Sequence, residues 1–171
     1  MNAIPAAHDQ ARLTESRIFS RLLAEEYVLY TTTHDYHLNV TGPYFHGLHL
    51  LFKAQYHQIH EWLDEVAART RAMGVGARRD WSDLPKRVRF FPDPGAGLPA
   101  DDMLAELLAL HEALVIQLRA DAACTENLGD NGSAAFLHSL LQQHEKAACL
   151  LRHLVESAED ESPASLFPLP S

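Results

Sequence analysis

The chain has 171 residues, 47% hydrophobic and 22% charged, and carries a net charge of −9 from 14 Lys and Arg against 23 Asp and Glu. That size fits one domain with a core of its own. The acidic balance disfavours DNA or RNA, whose affinity rests on Lys and Arg displacing counterions. No apolar stretch approaches the ~20 residues of a membrane span. The N-terminus lacks the charged start and apolar core of a signal peptide. Cys124 and Cys149 have no metal-type spacing and are expected as buried, reduced thiols, so a cytoplasmic protein is expected.

Residues 1–11 and 160–171 read as tails around a single domain, the second rich in Pro and Ser. Four helical patterns lie between them. The first spans about 14–39, with Ile18, Leu22, Tyr27, Leu29 and Tyr30 at helical spacing, Thr14 as cap and Thr41-Gly42-Pro43 as terminator. The second spans about 43–73 and stops at Gly74. A long connection, 75–100, has room for a short helix near 81–86. Its only strand-like run, 88–91, is brief and bounded by Pro92. The third helix begins near Pro99 and carries Met103, Leu107, Leu110, Leu114 and Leu118 on one face. The fourth begins near Ser133, after the breaker Gly129-Asp-Asn-Gly132, and runs to about Glu156. Four helices of about 25 residues joined short–long–short predict an all-α, ferritin-like four-helix bundle with a long crossover carrying a short extra helix.

Six of the eleven histidines fall between His34 and His60. On the second helix His46, His49, Lys53, His57, His60 and Asp64 are spaced 3, 4, 4, 3 and 4 apart, which places them along one stripe. His34 and His37 share a face of the first helix. Several imidazoles with a carboxylate suit Fe, Zn or Cu. Other metal and catalytic patterns are missing. The sequence has no Glu-x-x-His, no His-Glu-x-x-His and no Gly-rich phosphate loop.

The run YTTTHDYHLNVTGPYFHGLH from Tyr30 to His49, with the later stretch Phe136–Arg152, resembles the Dps family, the bacterial mini-ferritins. The resemblance spans about residues 22–155. It implies a homo-oligomer, a hollow shell of twelve subunits that oxidises Fe(II) with peroxide or oxygen and stores the ferric product. The family's di-iron centre lies between two subunits. By position, its inherited ligands are His37, His49 and Asp64. Two acids of the pattern are absent: Lys53 stands one turn after His49, and Ala68 one turn after Asp64. Leu38 and Cys149 stand where the family often has tryptophan. His57 and His60 are additions to the pattern.

The resemblance therefore implies a ferroxidase whose carboxylate centre has become histidine-rich. Its metal ligands would be His37, His49, Asp64, His57 and His60, with iron as the expected metal and zinc as the alternative. The competing expectation is a shell or metal-binding protein whose ferroxidase centre is lost. DNA-binding members use Lys-rich tails; neither tail here is Lys-rich, so DNA is not an expected partner, and neither is a membrane.

Overall fold

A computed structural model describes residues 3–73, 88 and 97–160 of the chain. The expected short helix at 81–86, most of the run 88–91 and the C-terminal stretch beyond 160 lie outside them. The described residues form four helices: α1 (Ala3–Asn39), α2 (Phe45–Ala72), α3 (Ala100–Asn127) and α4 (Asn131–Asp160). No strand occurs among the described residues. No described helix is long and apolar enough to cross a membrane.

The leucine pattern of the sequence becomes the core. Leu22 and Leu29 of α1, Phe52, Ile59 and Val66 of α2, Leu107, Leu114 and Leu118 of α3, and Leu137 and Leu151 of α4 are all buried. Each such side chain contributes about 1.5–3 kcal/mol on leaving water. α1 packs chiefly on α2 and α3 on α4, so the bundle is two antiparallel hairpins laid together. Ion pairs join the hairpins as well: Arg21 of α1 meets Asp121 of α3 at 2.7 Å. The Tyr36 hydroxyl of α1 donates to Glu106 of α3.

Both hairpin turns use a glycine with positive φ, Gly42 at 107° and Gly129 at 85°. A side chain at either position would be strained. Asp130 then caps α4, accepting the Ser133 N–H at 2.9 Å and the Ser133 hydroxyl. Arg69, near the end of α2, donates to the Ser133 hydroxyl at 2.9 Å and lies 3.6 Å from Asp130. The Ser133 bonds, with Arg69 beside them, hold the Asp130 carboxyl below its ordinary range.

Three expectations need correction. α1 begins at Ala3, so most of the stretch read as an N-terminal tail is helical. Ala3, Ala6, Ala7 and Ala11 are strong helix formers, and Pro5 sits in the first turn, where its missing N–H costs no helical bond. Thr14 is therefore interior to the helix, its hydroxyl donating back to the Gln10 carbonyl at 3.0 Å instead of capping. Finally, neither cysteine is fully buried. Cys124 is half-buried and Cys149 exposed, both as free thiols, because Cys149 faces outward one position past buried Ala148.

Candidate metal centre

The Gly42 turn folds α2 back along α1 and sets His37 beside His49, ring centroids 3.9 Å apart. Their hydrogen bonds are reciprocal. His37 Nδ1 lies 2.9 Å from the His49 carbonyl, and His49 Nδ1 lies 2.9 Å from the His37 carbonyl. A carbonyl oxygen can only accept, so each Nδ1 carries the proton and donates. Each Nε2 then keeps a bare lone pair. Metal-ligating histidines are commonly held this way, with the second nitrogen donating to a main-chain carbonyl.

The remaining predicted ligands stand apart from this pair. His60 Nδ1 and Asp64 Oδ2 are 4.0 Å apart, one turn along α2, with side chains 53% and 76% exposed. His57 is exposed beside Tyr56, centroids 4.4 Å apart. Lys53 and Ala68 are exposed on the same helix. Among the described residues of one chain, no three His, Cys, Asp or Glu side chains converge tightly enough to hold a metal ion.

His46, at the start of α2, lines a cavity of about 620 Å³ with Leu48, Leu51, Leu104 and Leu150.

Two tyrosines connect the histidines. Tyr56 lies 5.3 Å from His37, 4.7 Å from His34 and 6.2 Å from Tyr30, centroid to centroid. Tyr30 lies 5.4 Å from His60 and stacks on His34 at 6.0 Å. Sequence reasoning passed over Tyr56. The signal was present, since Tyr56 falls seven residues after His49 and four before His60, on the same helical face.

A second cluster, inside the bundle, was also missed. His144 of α4 presents Nε2 to Glu26 Oε1 of α1 at 2.8 Å, and its Nδ1 lies 3.0 Å from His111 Nδ1 of α3. All three side chains are fully buried. His111 falls between Leu107 and Leu114 on the apolar face of α3, a pattern that marks it as a core residue. Burial, and secondarily the neighbouring His144, hold the His111 pKa well below its ordinary value.

The fold has counterparts. Residues 18–160 match the ferritin-like domain family. The chain is similar to the X-ray structure of Dps from Thermosynechococcus elongatus, with a TM-score of 0.82 and 28% identity, over 87% of this chain and 94% of that one. The chain belongs to the Dps family. Among relatives within or near the family, it is 31% identical over 152 residues to a low temperature-induced protein of Nostoc sp., covering 86% of this chain and 83% of that protein. It is 27% identical over 134 residues to a nutrient stress-induced DNA-binding protein of Nostoc sp., covering 78% of this chain and 73% of that protein.

Proposed function

We propose that this Dps-family chain assembles with copies of itself into a shell, twelve as the family resemblance implies, that binds Fe(II), oxidises it with peroxide or oxygen and stores the product. The carrying observation is the reciprocal His37–His49 pair, which leaves two oriented Nε2 lone pairs on one chain. Two nitrogens hold an iron ion weakly, so further ligands are required. Asp64, His60 and His57 are exposed on α2 and suited to supply them across a subunit contact. Large exposed apolar side chains, including Leu38, Tyr44, Phe45, Leu50 and Ile116, give such contacts surface to bury.

Iron is the substrate and cargo of this reading. Imidazole and carboxylate accept Fe(II), and the same donors accept Zn(II), which serves as a competitor in a test. A specific observation favours a second reading, a shell without oxidation: exposed Lys53 sits one turn from both His49 and His57, and no acid stands at position 68. A cation there opposes Fe(III) more than Fe(II). The net charge of −9 weighs against DNA as a partner, although a relative is named for DNA binding. The bacterial cytoplasm is the compartment that fits this role.

The deciding experiment compares Fe(II) oxidation by oxygen and by peroxide in the native protein, in His37→Ala with His49→Ala, and in His57→Ala with His60→Ala. The expected result is a native rate above buffer that both double variants lower. A native rate equal to buffer removes the ferroxidase reading and leaves the non-oxidising shell. A fast native rate unchanged in the His57/His60 variant removes those two residues from the site.

A further inference from the structure

Between α2 and α4, away from the His37–His49 pair, lies a cavity of about 200 Å³. His111 of α3 and Gln55 of α2 line it. Three buried atoms here have no hydrogen-bond partner among the described residues: His111 Nε2 and both the Oε1 and Nε2 of Gln55. Gln55 is 8% exposed and His111 fully buried. A buried polar atom without a partner costs about 1–3 kcal/mol, so three beside one chamber call for an occupant.

The chemistry of that occupant follows from the lining. Glu26, as a carboxylate, accepts from His144 Nε2, and His144 Nδ1 in turn meets His111 Nδ1. With His144 neutral, its Nδ1 accepts and His111 Nε2 is an acceptor. One proton more on His144 reverses that bond and makes His111 Nε2 a donor. A hydroxyl both donates and accepts, so it satisfies His111 in either state, and the Gln55 amide offers the same pair of roles. Ile59, Trp62, Ala147 and Leu150 form an apolar wall of the chamber. Water alone would leave that wall wetted. Lys146 at the lining repels a metal cation, and the apolar wall disfavours any charged occupant. A cavity of ~150 Å³ is enough for one benzene ring.

We propose that this chamber is a binding site for a small, uncharged hydroxylated aromatic molecule, its hydroxyl held by His111 and Gln55 and its ring against Trp62. The site is independent of iron and of the metal centre proposed above.

The test uses phenol as probe and benzene, the same ring without the hydroxyl, as control. Trp62 emission is followed in the full chain carrying Trp81→Phe, which leaves Trp62 as its one tryptophan. Phenol is expected to give a saturable change and to bind about tenfold more tightly than benzene, the weight of one buried hydrogen bond. His111→Phe keeps a ring but removes the polar atom, and is expected to abolish that preference. Gln55→Leu is expected to reduce it and gives a second reading should His111→Phe fail to fold. No saturable response to phenol marks a water-filled chamber and overturns the proposal. So does equal binding of benzene, or a phenol preference that survives Gln55→Leu and, where it folds, His111→Phe.

Discussion

Replacing His144 with alanine should be among the most damaging single changes in the bundle. The imidazole is fully buried, meets Glu26 at 2.8 Å and His111 at 3.0 Å, and packs 4.8 Å from Trp62, centroid to centroid. Its removal strands the Glu26 carboxylate in the core, and Glu26 already has its second oxygen buried without a hydrogen bond. Breaking a buried pair on one side costs about 3–5 kcal/mol, because the remaining charge has no counterpart. Glu26→Gln should cost less, about 1–2 kcal/mol, since the amide oxygen still accepts from Nε2 and only the charge assistance is lost. Glu26→Leu combined with His144→Phe should cost less than the sum of the two single changes, because neither partner is then left unpaired. Urea unfolding measures all of these, at a single protein concentration, since any self-association would make stability depend on it. A loss below about 1 kcal/mol in His144→Ala would refute the buried pair as a structural element. Strict additivity in the double variant would show that the two residues are not coupled.

Lys53→Glu returns an acid to the face one turn from His49, a change of two charge units. It should tighten Fe(II) binding at least tenfold and speed oxidation, read by iron titration and by the absorbance of the ferric product. Asp130→Ala removes the α4 cap and should cost about 1 kcal/mol in urea unfolding. Because the Asp130 pKa lies below its ordinary 3.8, this contribution is present above about that pH and lost as pH falls through the lower folded value. His111 behaves with the opposite sign of charge. Its folded pKa is well below the unfolded 6.5, so the unfolded chain takes up a proton first. Stability from a neutral His111 is complete above that pH and falls beneath it by about 1.4 kcal/mol per unit until the folded pKa is reached. In His111→Phe, the acid-side slope of unfolding free energy against pH should be shallower by up to that amount.

The sequence discloses the bundle well because leucines at i, i+4 and i+7 have few other fates in a chain of this length. Helix ends are less legible. Thr14 satisfies the composition rule for a cap, yet a threonine hydroxyl serves equally well bonding back within a helix, and only the run before it decides. Ala-rich residues 3–11 decide for helix. At the site, the adjacency of His37 and His49 follows from the Gly42 turn, but the reciprocity of their bonds is a matter of ring orientation that spacing does not encode. His111 and His144 each precede a glutamate without completing any metal motif, and the partner that explains them, Glu26, lies 118 residues before His144. Contacts between subunits are harder still, since nothing in one chain's periodicity records which face of a second copy it meets.

If the proposed metal centre stands, the His37–His49 pair also bears on how quickly it would capture its ion. Ordering a side chain on binding commonly costs about 0.5–1.5 kcal/mol, and a free surface imidazole meets that cost when the ion arrives. Here each ring is already anchored to the opposite helix's main chain at 2.9 Å. The ordering has been completed during folding, so an encounter needs no search for the productive rotamer. The same anchoring couples inheritance of the two positions. Losing either imidazole removes one of the two side-chain bonds that tie α1 to α2 beside this turn, so a chain that discards one of these proposed ligands also loosens the hairpin that orients the other.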